Sequence, residues 1–157
     1  MRVQRVFCLA AAVLPILALT PGCTRDRLSG SLSDGYYTAE AASYDENGWK
    51  EFITIYVSSG KIVTVEFNGR NSSGLLKSWD STYMRRMNEQ DGTYPTEYTR
   101  VFCSSLLAGQ NAASIDAVSG ATNSRAAFKL LAEAAMNQSK RGSRQIAFVP
   151  LYAGTHE

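Results

Sequence analysis

Phe52-Ile53-Thr54-Ile55-Tyr56-Val57-Ser58-Ser59-Gly60-Lys61-Ile62-Val63-Thr64-Val65-Glu66-Phe67 decides the fold. Both arms are dominated by β-branched and aromatic residues, which suit a pleated, half-buried surface. Ser58-Ser59-Gly60-Lys61 between them supplies a tight turn, so the stretch predicts a β-hairpin. Upstream, residues 35–42 open with Tyr36-Tyr37-Thr38 and read as a further strand. Downstream, Asn68-Gly69-Arg70-Asn71-Ser72-Ser73-Gly74 is a polar, glycine-containing loop without hydrophobic period, long enough to line a site.

Residues 75–88 are expected to be helical in part. Over residues 97–108, Tyr98, Val101, Phe102, Ser105 and Leu106 fall on one stripe, the pattern of a helix packed on the sheet. Gly92-Thr93-Tyr94-Pro95 separates the two as a turn. Residues 126–136 are rich in Ala and Leu, with Phe128, Leu131 and Ala135 at helical spacing, and polar Asn137-Gln138-Ser139-Lys140 follows before Gly142. Ile146-Ala147-Phe148-Val149 adds a short strand. The expected fold class is α+β, a small antiparallel sheet with helices packed against it.

The chain has 157 residues, 45% of them hydrophobic and 19% charged, which suits one globular domain and leaves no room for a second catalytic one. The formal charge of +2 belongs to Arg2 and Arg5 near the start; without them 14 basic residues face 14 acidic ones. A neutral body has no long-range field for a polyanion, and no basic stripe interleaved with aromatics occurs, so nucleic acid is not expected as a partner. The body is expected to be monomeric.

Arg2, Arg5 and the apolar run over residues 6–19 have the form of an export signal, too short to cross a bilayer. The run ends in Leu19-Thr20-Pro21-Gly22-Cys23, which resembles a bacterial lipobox with the leucine one place early and Pro21 in place of a commoner residue. That resemblance implies a signal peptide over residues 1–22, a lipid on Cys23, and location in the cell envelope, on the outer side of a membrane. Simple secretion, with Cys23 a plain thiol, is the alternative. Residues 23–33 read as a flexible tether, 34–150 as the folded domain and 151–157 as a tail. With Cys8 in the leader and Cys23 acylated, Cys103 alone remains in the domain; between Val101-Phe102 and Ser104-Ser105-Leu106-Leu107 it reads as a buried, inert thiol.

The segment ahead of the last helix, Asp116-Ala117-Val118-Ser119-Gly120-Ala121-Thr122 followed by Asn123 and Ser124, carries the chemistry. A helix N-terminus presents free N–H groups and the positive end of a dipole, so a phosphate is stabilised there without a lysine. Gly120 and Ala121 permit close approach to the backbone. Thr122 acting only as a helix cap explains the same residues.

Asp116-Ala117-Val118-Ser119-Gly120-Ala121-Thr122 is similar to the flavinylation motif of the FMN-binding domain family, found in subunits of ion-translocating flavin complexes and in exported flavin lipoproteins. The order of elements over residues 34–140 supports the resemblance. It implies that Thr122 is joined to FMN by a phosphoester, and that an exported, Mg-dependent flavin transferase donates the FMN from FAD. Asp116, Ser119, Gly120 and Ala121 are then its recognition positions, with Asn123 beside them. Ser72-Ser73-Gly74-Leu75-Leu76 stands where family members often carry Thr-Pro-Gly-Leu/Ile-Gly near the flavin; it lacks the Pro and the second Gly, and Ser73, Gly74, Leu75 and Trp79 are the expected ring contacts. Trp79, Tyr83, Met84, Tyr94 and Tyr98 are further candidates for a flat apolar slot. Lys77, Arg85 and Arg86 could compensate the charge of phosphate or reduced flavin, but read better as solvated surface cations.

His156 is the only histidine and sits beside the C-terminus, which excludes a Ser/His/Asp triad or a His-based metal site in the core. Asp80, Glu89, Asp91 and Glu97 follow no metal-loop pattern, and no metal is expected. The expected function is a flavin electron carrier serving membrane redox partners rather than a stand-alone enzyme. Two others fit the same residues: a cofactor-free surface lipoprotein that binds a partner, and a flavin-dependent reductase component.

Overall fold

The structure is a computed structural model that describes residues 30–152, so the leader, Cys23 and His156 lie outside the described residues. The hairpin forms from β2 (Lys50–Ser58) and β3 (Lys61–Arg70), each longer than its apolar arm. Its two-residue turn has positive φ at both Ser59 (53°) and Gly60 (74°), the twist-matching geometry that favours Gly at the second place. Just past it, Tyr56 faces Thr64 while Val57 faces Ile62, so Val63 is the extra residue of a bulge. β3 also takes in Asn68, Gly69 and Arg70, the first three residues of the expected loop. What remains is ordered by Asn71, whose Oδ1 accepts from the Ser73 N–H, the Ser73 hydroxyl and the Leu75 N–H at 2.8–3.0 Å.

β1 (Gly35–Ala41) pairs antiparallel with β2, and β4 (Ala147–Val149) pairs parallel with β1, giving the order β3-β2-β1-β4. The sheet is therefore mixed, where a wholly antiparallel one is expected from the sequence. The last helix explains the difference. Its C-terminal end is tied to the start of β1, with Ser33 N–H donating to Ser139 O (3.3 Å) and Ser139 Oγ donating to Ser33 O (2.9 Å). The chain leaves that helix at the end of the sheet where β1 begins, so the following strand runs the same way as β1.

Three α-helices follow the hairpin: α1 (Ser81–Asp91), preceded by a 3-10 turn over Lys77–Trp79, then α2 (Pro95–Gly109) and α3 (Thr122–Arg141). Asp80 caps α1 by accepting from Tyr83 N–H at 2.9 Å, and Pro95 at the first position of α2 loses no useful donor. α3 crosses β1 and β2, and α2 covers β3. The stripes read from spacing are buried at Tyr98, Phe102, Ser105 and Leu106 on α2, with Val101 half-buried, and at Phe128, Leu131 and Ala135 on α3. Phe128 joins the layers, its ring 5.0 Å edge-on to Phe67 of β3 and 5.5 Å from Phe102 of α2.

The other face of the sheet has its own clasp. Glu40 is buried between Lys50 (2.8 Å) and Arg70 (2.6 Å), and these two cations lie over the rings of Phe148 and Phe52. Burial alone would raise the Glu40 carboxyl, but bonds from Lys50 and Arg70 hold it below its ordinary value.

Phe128→Ala removes the contact shared by both helices and the sheet, and should cost about 3–5 kcal/mol in a denaturant titration. A loss below about 1 kcal/mol would mean that the layers are not joined through this ring.

Candidate functional site

α3 begins at Thr122 because the preceding turn leaves the helical path. Ala121 N–H bonds Val118 O at 3.1 Å, and Gly120 sits at φ +77°. The glycine is required twice over: a Cβ there would adopt a disfavoured backbone and overlap the Asp91 carbonyl oxygen at the end of α1. Ala121 is the N-cap, and no side chain caps the helix. Thr122 is thus the first helical residue rather than the cap, and its side chain is exposed. The first-turn N–H groups of a 20-residue helix are left open to a ligand.

Two contacts fix the rest of the segment. Arg125 Nε donates to Ile115 O at 2.9 Å and to Asp116 O at 3.2 Å, clasping the chain from within α3. Asp116 Oδ2 accepts from the Ser105 hydroxyl of α2 at 2.8 Å.

Thr122 opens onto a cleft of about 720 Å³, with Gly120, Ala121, Asn123 and Ser124 on the same rim. The opposite wall comes from the β1–β2 connection and the chain after β4, including Tyr44, Leu151 and Tyr152; Tyr83, Met87 and Leu130 complete it. Leu151 and Tyr152, assigned to a tail by the sequence reading, are packed here.

The same cleft is lined by two buried charges, Glu51 and Lys77. Glu51 continues the inward row of Ile53, Ile55 and Val57 along β2, where the alternation calls for an apolar residue. Its Oε1 lies 3.3 Å from Lys77 Nζ, and its Oε2 accepts from the Tyr152 hydroxyl at 3.0 Å. Lys77 enters from the 3-10 turn over Gly69, where a Cβ would stand 3.2 Å from the lysine stem. Burial pushes the Glu51 carboxyl up, and Lys77 offsets this only in part. Burial is the largest influence on the Lys77 ammonium and opposes it, but Glu51 together with smaller contributions from Tyr98, Tyr83 and Asp45 holds the lysine above its ordinary value, so the cation is kept. Tyr98 lies behind this floor, buried and hydrogen-bonded to Ser124.

Of the residues expected at the site, Gly120, Ala121, Thr122 and Asn123 meet on the cleft, together with Tyr83. Ser119 is exposed on the turn before them, and Asp116 is held by Ser105. Ser73, Gly74, Leu75 and Trp79 do not line the cleft, and Trp79 is 72% exposed. Met84 and Tyr94 lie away from it, Met84 Sδ accepting from Thr96 and Tyr94 standing just before α2. Arg85 and Arg86 are exposed as expected, whereas Lys77, read as a surface cation, is 5% exposed. Glu51, Tyr152 and Arg125 escaped the sequence reading; only Glu51 left a signal there, as the one charge in an apolar row. Cys103 is half-buried against the core, and burial raises its thiol from 9.0 to about 11. Among the described residues no group of His, Cys, Asp and Glu could hold a metal, and no helix is long and apolar enough to cross a membrane.

Comparison with known proteins places this α+β domain among relatives. No family model matches the chain. The crystal structure of the CPE2226 protein from Clostridium perfringens superimposes with a TM-score of 0.72 at 34% identity, over 76% of this chain and 98% of that one. The 15 kDa lipoprotein of Treponema pallidum (strain Nichols) is 34% identical over 115 residues, 73% of this chain and 82% of that protein. The chain belongs to that lipoprotein's family.

Gly120→Ala should lower stability by about 1–3 kcal/mol, from the positive φ and the Asp91 overlap together; an unchanged denaturation midpoint would contradict the packing described. Cys103, with its thiol raised by burial, should be alkylated at pH 8 about a hundredfold more slowly in the folded protein than in urea. Equal rates would show that the thiol is not shielded.

Proposed function

We propose that the protein is an exported, lipid-anchored flavoprotein that carries FMN as a phosphoester on Thr122 and passes electrons at the outer face of a bacterial membrane. The observation that carries this reading is the placement of Thr122, exposed at the uncapped start of α3 and on the rim of the cleft. A phosphate esterified there meets open N–H groups and the positive end of the helix.

The residues present fit the group. About 720 Å³ lies within the range of small-molecule sites, roughly 300–1,000 Å³. Tyr83, Met87, Leu130 and Leu151 offer an apolar wall for a flat ring, and Lys77 offers a cation. The nearby Asp45 carboxylate is engaged by the N–H groups of Asn47 (2.9 Å) and Trp49 (2.7 Å). FMN supplies the redox chemistry; the protein's part is to hold it, exclude water from one side and set its electrostatic surroundings.

Lipid on Cys23 accords with membership of a lipoprotein family and with the lipobox-like sequence. A flavin transferase is then the first partner and membrane redox proteins the later ones. A covalent link suits this location, because a cofactor released outside the cytoplasm is lost.

Protein produced together with a flavin transferase should gain the mass of FMN and stay fluorescent through a denaturing gel. Thr122→Ala should abolish both and, since Thr122 caps nothing, change stability by no more than about 0.5 kcal/mol. Unmodified, colourless wild-type protein would overturn the reading in favour of a cofactor-free binding lipoprotein. Flavin retained by Thr122→Ala would overturn the choice of acceptor.

A further inference from the structure

Burying Glu51 and Lys77 together in the floor of the cleft is not explained by stability. A buried ion pair seldom outperforms apolar residues of the same volume, and the row of Ile53, Ile55 and Val57 shows that β2 has apolar side chains to offer on this face. Charges kept at such a cost and open to a cleft mark a functional site. The surrounding groups hold the pair in place: the Tyr152 hydroxyl donates to Glu51, the Tyr83 ring lies 5.4 Å from Lys77 Nζ, and Gly69 leaves room for the lysine stem. The side chains of Lys77 and Glu51 are only 6% and 4% exposed, so solvent screens them little.

We propose that this pair sets the reduction potential of the flavin on Thr122, with the Lys77 ammonium favouring the reduced ring and Glu51 positioning that ammonium while attenuating its field. The inference rests on the reading of Thr122 as flavin acceptor. On reduction the ring takes two electrons from the donor and one proton from solvent, and so gains one negative charge. A fixed cation lining the same cleft stabilises that charge; a carboxylate beside the cation opposes it.

The two partners of one salt bridge therefore act in opposite directions. Loss of Lys77 should make the flavin harder to reduce, and loss of the Glu51 charge should make it easier as long as the Lys77 ammonium persists, which the negative charge of the reduced ring then sustains in place of the carboxylate. A merely structural pair would give the same response from either side, since removing either partner loosens the same contact.

The test is an equilibrium titration with dithionite and mediator dyes at pH 8, on flavinylated wild type, Lys77→Met and Glu51→Gln, each checked for the mass of FMN. At a fixed ambient potential Lys77→Met should shift the oxidised-to-reduced ratio about tenfold towards oxidised. Glu51→Gln should shift it about tenfold towards reduced, and each change corresponds to about 30 mV for a two-electron couple. Glu51→Gln is nearly isosteric and still accepts from Tyr152, so it carries the test by itself if Lys77→Met does not fold. Shifts of one sign in both variants, or none in Glu51→Gln while the FMN mass is present, would overturn the inference and leave the acceptor reading standing. Wild-type protein without the FMN mass would remove both.

Discussion

The seating of α3 on the sheet fixes almost everything else in this molecule. Phe128, Leu131, Ala132 and Ala135 press one face of the helix onto β1 and β2, and the Phe128 ring extends that contact to β3 and α2. A helix so held cannot slide by a turn without exposing this stripe and opening cavities beneath it. Both its ends are consequently determined. The C-terminal end meets Ser33 and sends the chain back beside β1 as a parallel strand. The N-terminal end stops at the cleft, with its first-turn N–H groups facing outward.

What happens at that N-terminal end is an exchange of local stability for access. Ser or Thr at the cap position would bond the open N–H groups; here the cap is Ala121, and the hydroxyl stands one residue later. Gly120 lets the turn close against the end of α1, and Arg125 and Ser105 hold the segment leading into it. The segment is held along its backbone and leaves the Thr122 side chain exposed. In the floor of the cleft, Glu51 and Lys77 occupy space that Ile53 and Ile55 show could be apolar.

Much of this was legible in the sequence, and the parts that were not share a physical cause. Hairpin, helices and core stripes follow from local periodicity, so Phe52 to Phe67, Phe102 and Phe128 could be placed by spacing alone. The turn and helix start over residues 116–122 were also local, carried by seven consecutive residues, although Thr122 is the first helical residue and not the cap. Lys77 was misread because its environment is set by Glu51, which lies 26 residues away on another element. Tyr152 reaches Glu51 across 101 residues, and no pattern around it announces that contact. The parallel β4 depends on where α3 ends, which is a tertiary fact. Trp79 is a large aromatic near the glycine loop, yet exposure on a 3-10 turn is fixed by the turn's orientation, which composition does not encode.

Peptide mapping by tandem mass spectrometry, on protein purified from the membranes of the bacterium that makes it, tests the central claim most directly. The account predicts that the peptide containing Thr122 carries the mass of FMN on that residue and on no other. Recovery of that peptide wholly unmodified, from cells that attach flavin to other proteins, would contradict it.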